Sequence, residues 1–166
     1  MRLPVIISAV LLLSLGVNLP VMSQSTVKVT QISSNKNLNL ASKRLKFNRS
    51  LWNSRNISNY RYTFSNGCFC VPDARGPVVI EVRNGKTVSI TSVATGQPVD
   101  PQFFQNYNTI PKLFNVIQDA IARQASSLTV QYNARYGYPT QINVDYNAQI
   151  ADEEIYLTIE NFEILP

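Results

Sequence analysis

The feature that most constrains this chain is a period of two in its apolar residues, repeated along most of its length. Tyr60, Tyr62 and Phe64 alternate with Arg61, Thr63 and Ser65, and Val78, Ile80 and Val82 alternate with Val79, Glu81 and Arg83. Successive side chains of a strand point to opposite faces, so this spacing predicts strands with one buried and one wet face. Asn84-Gly85 follows at once. Both residues tolerate the positive φ that a two-residue type I′ hairpin demands, and Val88 and Ile90 continue on the return strand. Later come Leu128-x-Val130-x-Tyr132, Ile142-x-Val144-x-Tyr146 and Ile155-x-Leu157-x-Ile159, with Gly137 and Pro139 marking the turn between the first two.

Two stretches break this period and read as helices. Ser42 is placed to cap a helix from Lys43 to about Arg55, with Ala41, Leu45, Asn48 and Trp52 on one side. Thr109 is a good N-cap for a second, Pro111 fits its first turn, and Leu113, Phe114, Ile117, Ala120 and Ile121 form its apolar stripe. The order is helix and three strands, then helix and three strands again. Both stripes need covering, so the expected architecture is α+β: an antiparallel sheet of about six strands with two helices packed on one face.

The N-terminus predicts export. Arg2 precedes an apolar run from Val5 to Leu15, and Gly16, Asn18 and Pro20 then interrupt it. This is the layout of a secretory signal peptide over residues 1–23, cleaved near Ser23-Gln24. The apolar core is shorter than the ~18–20 residues of a spanning helix, so no stable membrane span is expected after cleavage. Residues 24–40, rich in Ser, Thr, Asn and Gln, read as a polar tether. Residues 41–166 then form one domain in the periplasm or outside the cell.

Charge is unevenly placed. From Gln24 to Pro72 there are Lys28, Lys36, Lys43, Arg44, Lys46, Arg49, Arg55 and Arg61 and no acidic residue, whereas all 10 acidic residues lie from Asp73 onward. These cations alternate with Ser, Asn and apolar residues. The arm therefore reads as a solvated helix face, partly neutralised by the acidic half of the same domain, and nucleic acid is not expected as a partner. The chain has no histidine. That removes Ser-His-Asp and Cys-His nucleophile systems, HExxH zinc sites and imidazole proton shuttles.

Trp52, Tyr60-Arg61-Tyr62, Cys68-Phe69-Cys70, Val78-x-Ile80-x-Val82-x-Asn84-Gly85, Leu113-Phe114-x-x-Ile117, Tyr132-Asn133, Tyr136-Gly137-Tyr138-Pro139-Thr140, Asp145 and Asp152-Glu153-Glu154 occur in that order. The series, over about residues 45–162, resembles the bacterial envelope family called domain of unknown function 6174. Many members of that family look like lipoproteins, whereas this chain has no lipobox cysteine. The resemblance implies a fold and a location and supplies no catalytic residues.

Three groups are candidates for chemistry. Cys68 and Cys70 would project to one face of a strand, but a regular strand sets such Cα atoms about 6.5–7 Å apart, so a disulfide between them needs a bulge or turn. Gly67 and Pro72 flank the pair and can supply one. A disulfide is the expectation in an oxidising compartment, with Cu(I) binding or thiol redox chemistry as the alternative. Asp145 with Asp152, Glu153 and Glu154 is the acidic cluster; it reads as a charged hairpin tip, or as hard oxygen ligands for Ca²⁺. Tyr136, Gly137, Tyr138 and Pro139 are either an aromatic recognition tip or plain turn chemistry with tyrosines packed on the sheet. No complete catalytic set is present and no cofactor is expected. The sequence therefore points to a non-catalytic module that binds an envelope or extracellular partner through its wet sheet face or its Tyr-rich turn.

Overall fold

The computed structural model describes residues 27–68, 70–150 and 154–166. The expected signal peptide, residues 1–23, lies outside the described residues. The first element is helix α1, Val27–Ser54. It starts well before Ser42, so most of the stretch read as a tether is helical. Ser and Asn are weak helix formers, but Leu38, Ala41, Leu45 and Trp52 recur at helical spacing and face the domain, with Leu45 and Trp52 buried. Packing of that stripe carries the helix beyond what local propensity predicts. It ends where Asn56 takes φ 50°.

Strand β1, Tyr60–Asn66, is followed by the single-turn helix α2, Pro72–Arg75. Strands β2, Val78–Arg83, and β3, Lys86–Ser92, form the hairpin. Asn84 and Gly85 have φ of 50° and 74°, and Arg83 pairs directly with Lys86. This is the predicted two-residue turn. The return strand departs from simple alternation: a register shift opposite Glu81 and Val82 leaves Ile90 buried and Val88 exposed. Helix α3, Ile110–Ala122, begins at Thr109, whose side chain accepts from the Lys112 N–H, with Pro111 in the first turn. Strands β4, Ser127–Tyr132, β5, Pro139–Asp145, and β6, Glu154–Ile164, complete the chain.

The six strands form one antiparallel sheet in the order β3-β2-β1-β6-β5-β4. Two three-stranded meanders are thus joined along β1 and β6, strands about a hundred residues apart in sequence. The inward residues of β1, Tyr60, Tyr62 and Phe64, are buried with Ile80, Val82, Ile142, Val144, Leu157 and Ile159 beneath α1 and α3. Asn161, at φ 49°, is an extra residue between the Thr63–Glu160 and Arg61–Glu163 pairs. The bulge resets the phase of β6. Phe162 therefore turns inward, 4.4 Å from the Tyr138 ring and 5.8 Å from Trp52, while Glu163 turns out to Arg61.

Burying so many phenols has a consequence at high pH. Desolvation pushes Tyr60 and Tyr132 up to about 12 and holds Tyr62 well above the usual phenol range, and the Ile110 N–H donating to the Tyr60 oxygen only partly offsets this at Tyr60. The unfolded chain releases these protons near pH 10. Between about pH 10 and 12 the folded state therefore binds more protons, so stability is intact below about 10 and falls as pH rises through that window. Denaturant midpoints should decline across it while tyrosinate absorbance stays below the full tyrosine content. Full ionisation of all tyrosines near pH 10 with the fold intact would contradict the buried cluster.

Candidate binding surface

Because α1 and α3 both cover one side of the sheet, the alternate residues of every strand form an opposite face that no described element covers. The register places its members. Gln131, Gln141, Thr158 and Ser65 lie in one row, and Thr129, Asn143 and Tyr156 in the next. Glu163, Arg61 and Glu81 form a charged row toward the other end. The neutral rows are linked: Gln131 Nε2 donates to Gln141 Oε1 at 2.9 Å, and Gln141 Nε2 to Asn143 Oδ1 at 3.4 Å. In the charged row Arg61 meets Glu163 at 2.7 Å, with Arg83 on Glu81 at 2.8 Å beside it. Half-exposed pairs such as these add little stability, so they are free to exchange partners. Tyr156 is the large aromatic of this face and is 50% exposed.

The Cys68–Cys70 loop lies at the Tyr156 end of the face. The Gly67 N–H donates to the Tyr156 carbonyl at 2.7 Å, and a Cβ on Gly67 would stand 3.1 Å from Tyr156 Cβ. Gly67 thus lets the loop cross close to β6. Cys68 and Cys70 form a disulfide with Cα atoms 5.3 Å apart, in a bend past the end of β1. That is shorter than a regular strand allows, as the flanking Gly67 anticipated. Both sulfurs are committed to the bond, so neither is a thiolate ligand for Cu(I) while it stands. The closed loop is too short to remove much unfolded-state entropy. Replacing both cysteines by serine should cost under about 2 kcal/mol and leave a cooperative thermal melt; a double-serine chain with no melt would show that the loop holds the fold.

The other sequence candidates separate. Asp145 and Glu154 stand opposite each other on β5 and β6 at the same end of the sheet, and Asp145 Oδ1 has no hydrogen-bond partner among the described residues. Asp152 and Glu153, with Phe69, lie outside the described residues, and among the described ones no three carboxylate or cysteine side chains converge. The Tyr136–Pro139 turn is packed rather than projecting: Gly137, Tyr138 and Pro139 are buried against α1, and Tyr136 is half-buried. Asn133 builds the turn from below, its Oδ1 accepting from the Arg135 and Tyr136 N–H groups. The tyrosines serve the core, so this turn offers little surface for recognition.

Sequence reading missed an open cleft of about 540 Å³ between α3 and the segment before it, lined by Tyr107, Lys112, Asn115, Asp119, Tyr146 and Ile155. Tyr146 donates its hydroxyl to Asp119 Oδ2 at 2.9 Å, and the Arg123 guanidinium sits 4.0 Å from its ring centroid. Burial, then the Asp119 carboxylate, push this phenol up to about 12, so it is protonated throughout the neutral range. Lys112 is held by the Gln105 carbonyl and Asn108 Oδ1. The Tyr146 proton is thus committed to Asp119, and Lys112, with two of its three N–H groups used, is the donor left to face the cleft.

The family model described as "Family of unknown function (DUF6174)" matches residues 44–164. The chain belongs to this family. No curated protein and no solved structure matches it. The DUF6174 match takes in the C-terminal part of α1 and the whole sheet, so the open face and all three of its rows lie within the family's domain. Among the described residues no helix is long and apolar enough to cross a membrane.

Proposed function

We infer that this DUF6174 chain is an exported module that binds an envelope or extracellular partner through the open face of its sheet, with no chemistry of its own. The observation that carries this reading is the face itself: all six strands contribute to it, and no described element covers it. A sheet face of amides, hydroxyls and loosely held ion pairs around one exposed tyrosine suits recognition of a polar surface. The resemblance to bacterial envelope proteins and the N-terminal apolar run support export.

Two experiments test the two halves. Mass spectrometry of the exported protein should find Gln24, or a residue within about three of it, at the N-terminus; an intact chain beginning at Met1 in the membrane fraction would favour an anchor. For binding, the exported protein serves as bait against the envelope of its source. A partner kept by the wild type and by Asn53→Ala, but lost by the combined Gln141→Ala, Asn143→Ala and Tyr156→Ala variant, supports the face. Retention by that variant, or turnover of a broad panel of ester, peptide, glycoside or phosphate substrates, overturns the reading.

A further inference from the structure

The two edges of the sheet are finished differently. Outside β3 the chain turns back and bonds to it: the Ser92 N–H donates to the Gln97 carbonyl, the Val99 N–H to the Ile90 carbonyl, and Pro98 bridges Thr91. With the bulge at Val88, that edge is closed to further pairing. At the other end, β4 pairs with β5 alone, and among the described residues no backbone group bonds to its outer side. Its sequence, Ser127-Leu-Thr-Val-Gln-Tyr132, has no charge and no proline. An open edge without those protections is a template for another strand.

A groove of about 320 Å³ runs between this edge and α1, lined by Leu38, Leu40, Ala41 and Arg44 on the helix and by Leu128 and Tyr132 on the strand. Leu40 is 57% exposed, and Phe47, two turns further on the same flank, is 69% exposed. Around these apolar residues α1 carries Lys36, Lys43, Arg44, Lys46 and Arg49 and no carboxylate. The ion pairs among the described residues are Arg61–Glu163, Arg83–Glu81 and Arg123–Asp119, none on α1. The expected neutralisation by the acidic half is therefore not made by direct pairing. Arg49 instead bonds Gln118 and Asn115 on α3.

We propose that β4 accepts an extended segment of a partner protein as a seventh strand, one whose alternate residues, those turned toward α1, are apolar along the groove and acidic beyond it. Its backbone completes the β4 ladder, its apolar side chains enter the groove at Leu38, Leu40 and Leu128, and its carboxylates meet Arg44 and the neighbouring lysines. A second copy of this chain is the wrong occupant. Pairing β4 with β4 about a two-fold axis would set two basic α1 helices side by side on one face, which like charge opposes.

The test uses the exported protein and a synthetic peptide with valines and then glutamates at the alternate positions of one side and threonine at those of the other, followed by fluorescence anisotropy. Binding should weaken at least about tenfold with Arg44→Glu and with Leu40→Glu. Both side chains are exposed, and circular dichroism checks that each variant keeps its fold. Methylating the peptide's backbone nitrogens along one edge should abolish binding, and along the other should leave it unchanged. On binding, amide exchange should slow at residues 127–132. No binding at about 1 mM peptide overturns the proposal. So does equal binding of the same peptide with lysine in place of glutamate, indifference to methylation of either edge, or a β4-linked dimer of the protein alone.

Discussion

Gly137→Val is expected to be the most damaging single substitution in this domain, costing roughly 3–5 kcal/mol. Two independent effects add. Gly137 sits at φ 80°, a conformation that costs other residues about 1–2 kcal/mol. A Cβ there would also overlap the Asn48 carbonyl oxygen and crowd Leu51 Cβ at 3.1 Å and the Trp52 nitrogen at 3.2 Å. These are mostly backbone atoms in the last two turns of α1, so they cannot move aside without lifting that end of the helix from the sheet. The glycine is anchored as well, its N–H donating to the Asn133 carbonyl at 2.8 Å. Against a typical total of about 5–15 kcal/mol, the loss consumes much of the stability. Denaturant unfolding measures it. A Gly137→Val protein within about 1 kcal/mol of wild type would mean that α1 does not rest on this turn.

Trp52→Ala is expected to cost about 3–5 kcal/mol. The indole is 4% exposed and meets Tyr60, Tyr138 and Phe162 edge-on at 5.4, 6.2 and 5.8 Å. It thus joins α1 to β1, to the turn before β5 and to the bulged part of β6. The loss should exceed that of the double-serine change by at least about 1 kcal/mol. The reverse order, with Trp52→Ala nearly neutral and the double-serine chain unfolded, would place the stability of the domain in the Cys68–Cys70 loop.

What the sequence made legible follows from how local each signal is. The hairpin at Asn84-Gly85, the Thr109 cap and the apolar stripe of α3 depend on neighbours within a few residues, and the structure places them as read. The early part of α1 does not: Leu38 and Ala41 lie alongside β4, far off in sequence. Phe162 was unreadable for a related reason. A strict period of two carries the pattern only to Ile159, and the bulge at Asn161 exists because β6 must pair with β1 across about a hundred residues. The same length of chain separates Tyr138 from the helix it packs on, so a turn that reads equally well as a recognition tip proves to be core. On the open face the alternation of polar residues was plain, but the rows they form depend on strand order. Nothing local shows that β6 lies between β1 and β5.

The central claim, that the open face is the working surface, is tested most directly by photo-crosslinking in the cells that make the protein. A photoreactive side chain is placed in turn at Tyr156, Thr158, Gln131 and Thr129 on the open face, and at Ser50 and Asn53 on the exposed side of α1. Adducts of one discrete mass at the open-face positions, absent at Ser50 and Asn53, are the predicted result. Adducts confined to the α1 positions, with none on the sheet face, would contradict it.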